Sequence, residues 1–275
     1  MAIAPAGKKS TEKTQLMFSI VLATYNWPEA LKLCLESLRE QTNLNFEIII
    51  ADDGSTQPTK DMIDGVKNAF PVNITHLWQA DQGFRKTIIL NKAIEAAKGD
   101  YLIFLDGDCI AQPDFVARHR ELASEGCLVT GSRVLLNQTL TNSLLSWSCW
   151  SFPRFNANLL SYRLHGKINK YWPLKIKLGD GAWRIYRKFV WRRIKGCNMA
   201  CWRKNALDIG GFDESITGWG HEDADFIFRL QNKGVIRKSG SWSTEVFHLH
   251  HKINNQSHAE GNALLVRNKI LAKKG

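Results

Sequence analysis

The chain has 275 residues, 44% of them hydrophobic, and a formal net charge of +11. This length and apolar content suit one large domain or two merged halves around a substantial core. No stretch reaches the roughly 18 to 20 apolar residues of a membrane-spanning helix, and residues 1–15 are polar without a signal-peptide apolar region. We therefore expect a cytoplasmic protein with a disordered segment at 1–15 and a basic tail at 261–275.

The first half of the chain alternates between short apolar runs and segments with helical spacing. Such alternation predicts an α/β fold with a Rossmann-like, mostly parallel sheet flanked by helices. Ligands of such sheets bind beyond the carboxyl ends of the strands. The predicted strands are 18–23, 46–51, 73–78, 101–105 and 127–130, and the predicted helices are 28–40, 58–70, 85–98 and 113–125.

The second half has a different texture. Residues 131–204 mix tryptophan with basic residues, and periodicity does not define their secondary structure. A helix is predicted at 222–232 and a strand at 243–250.

Two carboxylates follow the most apolar predicted strand. Asp106 and Asp108 are two residues apart, so in an extended segment they point to the same side. Such a pair suits Mg²⁺ or Mn²⁺ bound together with the phosphates of a nucleotide. The alternative is an ordinary Asp-Gly-Asp turn.

Two other predicted strands also end in polar residues. Thr24, Tyr25 and Asn26 follow the first strand, and Asp52 and Asp53 follow the second. A carboxylate can accept a hydrogen bond from the uracil imide while an aromatic ring stacks on the base. Each cluster alone could equally be a turn or a helix cap.

These strand-end residues resemble family 2 glycosyltransferases of the GT-A fold. The resemblance rests on Ala23-Thr-Tyr-Asn26, Asp52-Asp-Gly-Ser55, Gly83-Phe-Arg85 and Phe104-Leu-Asp-Gly-Asp108. Further along, the chain is similar to the acceptor half of galactosyltransferase-type and chondroitin-polymerase-type enzymes. That similarity rests on Gly196-Cys-Asn-Met-Ala200, Gly211-Phe-Asp-Glu214 and Gly218-Trp-Gly-His-Glu-Asp223.

The resemblance implies a site for a UDP-sugar and an acceptor. It assigns Tyr25 and Asp53 to uracil, Arg85 to the diphosphate, Asp106 to ribose, Asp108 to the metal and Asp223 to the catalytic base. Thr24, Asn26 and Gly107 complete the expected donor contacts, and the expected acceptor contacts are Asn198, Trp219, Gly220 and Glu222.

The chemistry of displacement at an anomeric carbon agrees with the assignment of Asp223. A carboxylate must take the proton of the incoming hydroxyl. Beside it, Glu222 could hold acceptor hydroxyls and Trp219 could contact a sugar face. The alternative is that Glu222 and Asp223 only stabilise the first turn of a helix.

A histidine cluster follows the last predicted strand. Strand alternation puts His248 and His250 on one face, where either could complete the metal site begun by Asp108. We rank His248 first, then His250, then His251. Zinc held by this cluster with Cys197 and Cys201 is a weaker alternative, and reduced thiols are expected for the six cysteines.

Two positions depart from the family pattern. Cys109 replaces the third acid of many Asp-x-Asp-Asp variants, and His221 replaces the last glycine of Gly-Trp-Gly-Gly. Both changes make metal and sugar preference harder to predict. His221 would lie beside the base, facing either a ligand or solvent.

The positive charge is concentrated in one window. Residues 163–204 hold thirteen Lys and Arg against the single acid Asp180. With its tryptophans, this window could contact an anionic membrane surface or nucleic acid, or form a lid. The membrane contact is preferred, because nucleic-acid binding leaves Asp106, Asp108 and Asp223 without a role.

Together these patterns predict an inverting, metal-dependent hexosyltransferase that uses Mn²⁺ or Mg²⁺. The donor would be a UDP-sugar, and the acceptor a saccharide or glycolipid of a cell-surface polysaccharide or lipopolysaccharide. Residues 16–135 would bind donor and metal, and 136–260 the acceptor. The rival hypothesis is a non-catalytic nucleotide-sugar or nucleic-acid binding protein.

Overall fold

The computed structural model describes residues 16–191, 193–252 and 257–272. Its main layer is an eight-stranded sheet in the order β3-β2-β1-β4-β9-β6-β10-β8, and a second sheet has the order β5-β11-β7. The strands are β1 Phe18–Thr24, β2 Phe46–Asp52, β3 Ile74–Trp78, β4 Tyr101–Asp106, β5 Cys109–Ile110, β6 Cys127–Thr130, β7 Ser132–Leu135, β8 Ile185–Tyr186, β9 Asn198–Trp202, β10 Ile236–Ser239 and β11 Glu245–His248.

Helices cover both faces of the main sheet, and a short 3₁₀ turn spans Ala182–Arg184. No helix in the described part of the chain is long and apolar enough to cross a membrane. The helices are α1 Pro28–Arg39, α2 Gln57–Lys67, α3 Lys86–Ala96, α4 Phe115–Leu122, α5 Gln138–Leu145, α6 Phe152–Ala157, α7 Leu159–Leu164, α8 Trp172–Lys175, α9 Arg203–Asp208, α10 Glu222–Asn232 and α11 Ala259–Ala272.

The first four strands of the chain form a parallel block, as the alternation predicts. β1 pairs in parallel with β2 on one side and with β4 on the other. Because both faces of these strands are covered by helices, their side chains are apolar on both faces. Ile20 and Leu22 of β1 pack into the core on one face, whereas Val21 packs into the core on the other. The predicted α/β fold is confirmed.

The second half of the chain completes the same sheet. β9 lies antiparallel between β4 and β6, so a strand from beyond residue 190 joins two strands from the first half. The buried amide of Asn198, at the start of β9, donates to the carbonyl oxygens of Ser132 at 3.1 Å and Thr244 at 2.5 Å. The strands of the first half therefore form one continuous sheet only when β9 lies between β4 and β6.

The second sheet brings the end of β4 to the end of β11. The two-residue strand β5 pairs antiparallel with β11, with Cys109 opposite His248. Just outside this pair, the Leu249 amide donates to the carbonyl oxygen of Asp108 at 3.0 Å. This pairing is not visible in the sequence, because two- and four-residue strands carry too little alternation to reveal a partner.

Two expectations for the C-terminal region have different outcomes. The helix predicted at 222–232 is confirmed as α10. The strand predicted at 243–250 is shorter, because β11 ends at His248, where its ladder with β5 also ends. The pattern also missed α11, which packs on α10 through Lys269: its ammonium donates to Asp213 and, at 2.7 Å, to the fully buried Asp225.

Candidate active site

The carboxyl ends of β1, β2 and β4 meet at one edge of the sheet. Thr24 lies opposite Asp52, and Ala23 lies opposite Asp106. Gly107 stays close to this edge, because its amide donates to the carbonyl oxygen of Ala23 at 2.8 Å. The polar residues that follow three separate strands are thereby brought together, as expected for ligand binding in a doubly wound fold.

The two adjacent carboxylates after β2 have different functions in the fold. Asp52 is fully buried, accepts from the Ser55 amide at 2.7 Å and contacts His76 Nε2 at 3.0 Å. Asp53 accepts from the Gln79 side chain at 2.7 Å and from the Arg85 amide at 2.8 Å. Asp52 therefore shapes the turn, whereas Asp53 ties the β2 end to the loop before α3.

Burial raises the pKa of Asp53, although hydrogen bonds from Gln79 and Arg85 oppose that shift. Each of its two oxygens already accepts one hydrogen bond, and a carboxylate oxygen can accept two. A base imide could therefore be accommodated without breaking either contact.

Tyr25 and Asn26 border the same edge. The Tyr25 hydroxyl donates to Asp81 at 2.8 Å, which leaves a half-exposed ring beside the strand ends. Asn26 accepts from the amide and hydroxyl of Thr56. Gly54 has φ +98, and a Cβ there would lie 2.6 Å from the Asp81 backbone, so only glycine lets these two loops meet.

Arg85 lies at the mouth of this region and is partly buried. Its Nη2 donates to the Ala80 carbonyl at 3.3 Å, and its buried Nε has no hydrogen-bond partner among the described residues. A buried guanidinium nitrogen without a partner is costly, and an anionic ligand would relieve that cost.

Asp108, His248 and His251 form a cluster in which one ligand atom of each lies within 4.8 Å of the others. Asp108 Oδ2 is 3.7 Å from His248 Nε2 and 3.2 Å from His251 Nε2. His248 Nδ1 lies 2.9 Å from the Leu249 carbonyl oxygen, so it carries the proton and Nε2 faces Asp108 with a free lone pair.

The electrostatics of this cluster favour a cation. Burial alone would raise the pKa of Asp108, but the hydrogen bond from His251 and the nearby charges of His248 and Lys86 hold it below its usual value. The hydrogen bond to Asp108 raises the pKa of His251 to about 9. One carboxylate and two imidazoles with room for further ligands fit Mn²⁺ and, less closely, Mg²⁺.

The ranking of the histidines needs a correction. His250 is exposed and lies outside the cluster, whereas the third-ranked His251 belongs to it. The alternation argument failed because β11 ends at His248, so the backbone beyond that residue no longer alternates.

The weaker alternative, a zinc site that includes both Cys197 and Cys201, is not assembled. Cys197 packs into the core on one face of the main sheet and Cys201 into the core on the other. Instead, ligand atoms of Cys109, Cys197 and His248 come within 4.8 Å of one another, in a group that shares His248 with the Asp108 cluster. All six cysteines are free thiols, as expected.

Asp106 faces Lys86, which lies between two carboxylates. Lys86 Nζ donates to Asp106 Oδ1 at 2.6 Å. Burial lowers the pKa of Lys86, but the charges of Asp106 and Glu222 more than offset that effect and raise it. Lys86 therefore stays charged and links the donor edge to the start of α10.

Glu222 occupies an unfavourable position beside this lysine. Burial and the neighbouring Asp223 raise its pKa to about 7, although Lys86 opposes the shift. Its Oε2 is shielded from solvent and has no hydrogen-bond partner among the described residues. A hydroxyl donor, such as that of a sugar, would satisfy this oxygen.

Asp223 is fixed at the first turn of α10. Its Oδ2 accepts from the Gly196 amide at 2.7 Å, and its Oδ1 accepts from the Ala224 amide at 2.7 Å. Asp106, Glu222 and Asp223 line one small pocket together with Lys86. Asp223 therefore does lie in the first turn of a helix, the alternative that the sequence left open. The two hydrogen bonds hold its carboxylate at the pocket.

The other expected acceptor residues differ from one another in their exposure to solvent. Asn198 is fully buried and holds the β7 and β11 backbones, so its amide is fully used in the fold. Trp219 is partly exposed, whereas Gly220 is buried. His221 adopts the left-handed conformation at φ 72, which explains why glycine suits this position, and its ring lies 5.0 Å from that of Trp191.

Sequence reasoning missed three residues of this region: Asp81, Lys86 and His251 as a preferred ligand. Lys86 directly follows the Gly83-Phe-Arg85 motif, which was a usable signal. Asp81 carried none, since its role depends on the approach of two loops.

These features define a GT-A type α/β protein with a polar pocket at its strand ends. Two family models match the chain: "Glycosyl transferase family 2" over residues 19–194 and "N-terminal domain of galactosyltransferase" over residues 182–252. The chain belongs to glycosyl transferase family 2, as its motifs predict.

Two curated relatives illustrate the similarity. Validoxylamine A glucosyltransferase of Streptomyces hygroscopicus subsp. jinggangensis is 25% identical over 258 residues, which cover 84% of this chain and 56% of the relative. Chondroitin synthase of Escherichia coli is 27% identical over 229 residues, which cover 80% of this chain and 33% of the relative. The chain thus matches about half or less of their length.

Solved structures support the fold. Staphylococcus aureus TarS superposes with a TM-score of 0.64 at 15% identity, covering 93% of this chain and 40% of TarS. GalNAc-T7 with UDP, GalNAc and Mn²⁺ also gives a TM-score of 0.64 at 15% identity, covering 94% of this chain and 48% of that one.

Proposed function

We propose that this chain is a metal-dependent, inverting glycosyltransferase that uses a UDP-sugar donor. The observation that carries the proposal is the shared pocket of Asp106, Glu222 and Asp223, next to the cluster of Asp108 with two histidines. A carboxylate fixed beside the strand ends where a donor binds is what single displacement requires. Nothing in the fold or the comparisons supports the non-catalytic or nucleic-acid binding alternative.

In the proposed mechanism, Asp223 accepts the proton of the acceptor hydroxyl as its oxygen bonds to the anomeric carbon. The bond between that carbon and the diphosphate oxygen breaks, and UDP leaves with the electron pair. The Gly196 and Ala224 amides hold the Asp223 carboxylate in place, and Glu222 orients the acceptor through its free Oε2.

On the donor side, Asp53 and Tyr25 would hold the base, Asp106 the ribose and Arg85 the diphosphate, with Thr24, Asn26 and Gly107 forming the adjacent edge. A Mn²⁺ or Mg²⁺ ion bound by Asp108, His248 and His251 would neutralise charge on the leaving diphosphate. Lys86 donates to Asp106 at 2.6 Å and lines the same pocket as Glu222, so its charge acts on both carboxylates.

The proposed acceptor is a saccharide or glycolipid of a cell-surface polysaccharide or lipopolysaccharide, and the transferred unit is a hexose or N-acetylhexosamine. This proposal draws on relatives whose names include a glucosyltransferase and a chondroitin synthase. Trp219, with Gly220 behind it, would contact a face of the acceptor sugar. Residues 16–135 would form the donor half and 136–260 the acceptor half.

We also propose a cytoplasmic enzyme whose 163–204 window contacts an anionic membrane surface. Leu164, Trp172 and Trp183 are 76%, 63% and 56% exposed. Arg184 is fully buried on backbone carbonyls and does not contribute. We expect the protein to co-sediment with phosphatidylglycerol vesicles and not with phosphatidylcholine vesicles. If it co-sedimented with neither kind of vesicle, the contact would be rejected.

Calorimetric titration of UDP, with GDP and ADP as controls, tests the donor assignment. We expect UDP to bind in the presence of Mn²⁺ and to bind much more weakly without it, because metal and phosphate charges compensate each other. Retention on an RNA column with no nucleotide binding would reject the transferase.

Asp223→Asn tests the base. We expect UDP binding to remain within about twofold, whereas sugar transfer falls roughly 10²- to 10⁴-fold because the amide cannot take the proton. Asp64→Asn, an exposed α2 carboxylate paired with Lys67, is the matched control and should transfer normally. Undiminished transfer by Asp223→Asn would exclude this residue as the base.

A further inference from the structure

Four cations gather on the side of the pocket that faces the segment before β9. Lys170 Nζ donates to the Arg133 carbonyl at 2.9 Å and to the Ser132 hydroxyl at 2.9 Å, so the two positions are in direct contact. Arg193 and Lys195 are exposed, and Lys195 directly precedes Gly196. We name these residues the basic cluster: Arg133, Lys170, Arg193 and Lys195.

The basic cluster is connected to the proposed base by a short chain of contacts. Arg133 Nη1 lies 3.7 Å from Cys197 Sγ. Cys197 follows Gly196, whose amide donates to Asp223 at 2.7 Å. Lys195 of the basic cluster is therefore the sequence neighbour of Gly196, the residue whose amide holds Asp223.

Two acids lie near the basic cluster without pairing with it: the charge of Glu245 acts on Lys170, and that of Asp106 acts on Arg133. Within 16–191, 193–252 and 257–272, none of the four forms an ion pair; Arg193 contacts only the Tyr186 hydroxyl, at 3.4 Å. Burial lowers the pKa of Lys170, Glu245 opposes the shift, and the charges of Arg133, Arg193 and Lys195 lower it further. Like charges held together destabilise one another unless an anion binds between them.

Some other cations of the 163–204 window have partners in the fold. Lys204 pairs with Glu125 at 2.7 Å, and Arg184 is buried on carbonyl oxygens. Lys177 lies 4.0 Å from Glu245. Lys177 and Lys204 thus each lie within 4.0 Å of a carboxylate, whereas no member of the basic cluster does so among the described residues.

We infer that the acceptor carries a negative charge, as a phosphate or a carboxylate on a sugar, and that the basic cluster binds this group while Asp223 deprotonates the neighbouring hydroxyl. The inference rests on the proposed transferase function and adds the chemical class of its acceptor. Arginine and lysine donors on a phosphate or carboxylate form charge-assisted hydrogen bonds, which are stronger than those to a neutral sugar.

The donor diphosphate is the competing anion for the same cations. Arg85 and the Asp108 cluster already lie on the donor side, whereas Arg193 and Lys195 precede Gly196, whose amide donates to Asp223. An acceptor anion and a donor anion make opposite predictions for binding, so one experiment can separate them.

The experiment measures saccharide binding by calorimetry in the presence of UDP and Mn²⁺. The probes are maltoheptaose, its 6-phosphorylated form and its form oxidised to a carboxylate at C6. Wild-type protein should bind at least one anionic form roughly tenfold or more tightly than the neutral one, the size of one charge-assisted contact. The two anionic forms show whether phosphate or carboxylate is preferred.

Two variants assign this preference to the basic cluster. Lys170→Gln and Arg193→Gln should each remove most of the preference for the anionic form, while UDP binding with Mn²⁺ changes by less than about twofold. Lys204→Gln is the matched control and should leave the preference intact, because Lys204 follows the end of β9 that pairs with the start of β4, away from Gly196.

Three results would overturn the inference. Wild-type protein could show no preference for either anionic form, or the preference could survive both variants. The variants could also weaken the binding of UDP and leave the binding of the saccharide unchanged. Failure of the transferase proposal itself is distinguishable, since wild-type protein would then bind no UDP with Mn²⁺.

Discussion

The carboxylate of Glu222 is held in a position that opposes its ionised form. Its pKa is raised from 4.5 to about 7, first by burial and then by Asp223. The helix N-terminus favours a negative charge by about 0.3 to 1 kcal/mol, whereas a shift of this size corresponds to about 3 kcal/mol against ionisation. Burial therefore outweighs the helix start, and the fold keeps an acid whose ionisation is unfavourable.

Glu222→Gln should consequently stabilise the protein at high pH. Because the folded pKa is raised, the stability linked to the protonated group is fully present below 4.5 and is lost as pH rises through about 7. We expect the variant to be more stable than wild type by roughly 1 to 3 kcal/mol at pH 8 and nearly equal at pH 4.5.

Urea unfolding at the two pH values measures this difference, and transfer assays should show weaker acceptor use by the same variant. Glu29→Gln, at the first turn of α1, is the control for replacing a helix-start glutamate. A Glu222→Gln variant less stable than wild type at pH 8 would show that Lys86 requires the ionised partner.

The histidines near Asp108 provide a second test at this scale. His251→Ala should weaken Mn²⁺-dependent UDP binding roughly tenfold or more, because one of three cluster ligands is lost. His250→Ala is the matched control, since His250 is exposed and outside the cluster. Calorimetry with and without Mn²⁺ measures both, and a larger loss in His250→Ala would reverse the assignment.

Individual residues were predictable where a motif fixed them. Asp106 and Asp223 belong to two motifs far apart in the sequence, and the structure places both of them in one pocket. The role of His251 was not predictable, because it depends on where β11 ends. That point is set by pairing with β5, a contact between segments more than 130 residues apart in sequence.

At the level of elements, α11 is fastened to α10 by charge. Lys269 donates to Asp213 and to the fully buried Asp225, which also binds Arg229 at 2.6 Å. Because α10 begins with Glu222 and Asp223, this contact supports the helix that carries the proposed base. A helix was hard to predict at 259–272, since the sequence there has no clear apolar stripe and only Asn262 and Val266 are buried.

Lys269→Ala should destabilise the protein by roughly 1 to 2 kcal/mol, because a buried carboxylate loses one of its two cations. Lys67→Ala removes a pair whose side chains are 41% and 43% exposed, and should cost less than about 0.5 kcal/mol. Urea unfolding of the two variants gives the comparison; equal effects would mean that α11 does not support α10.

The strands were predictable in proportion to their local pattern. β1, β2, β3, β4 and β6 are apolar runs bounded by turns, and each was predicted within about two residues. β5, β7 and β8 are two to four residues long, and their pairing is decided by distant partners. The antiparallel pairing of β9 with β4 likewise depends on tertiary contacts, which hydrophobic periodicity along the sequence does not reveal.

At the scale of the whole molecule, the proposed donor and acceptor halves share one sheet. β9 pairs with β4 through five residues, Asn198 to Trp202, and also pairs with β6. β10 then pairs with β6 on its other side. β9 begins two residues after Gly196, whose amide holds Asp223. Because β9 pairs with β4, the backbone that holds Asp223 belongs to the same sheet as the proposed donor strands.

A chain that ends at Leu135 should therefore not fold by itself, although it keeps every proposed donor residue. Without β9 and β10, β4 loses one neighbour and β6 loses both, so apolar strand edges are open to aggregation. We expect this fragment to be insoluble or to lack cooperative unfolding by circular dichroism. A chain that ends at Ala272 keeps every described strand and is the control for truncation, and it should unfold cooperatively. If the shorter fragment were soluble, unfolded cooperatively and bound UDP with Mn²⁺, the first half would be an independent domain and β9 would be dispensable for the donor site.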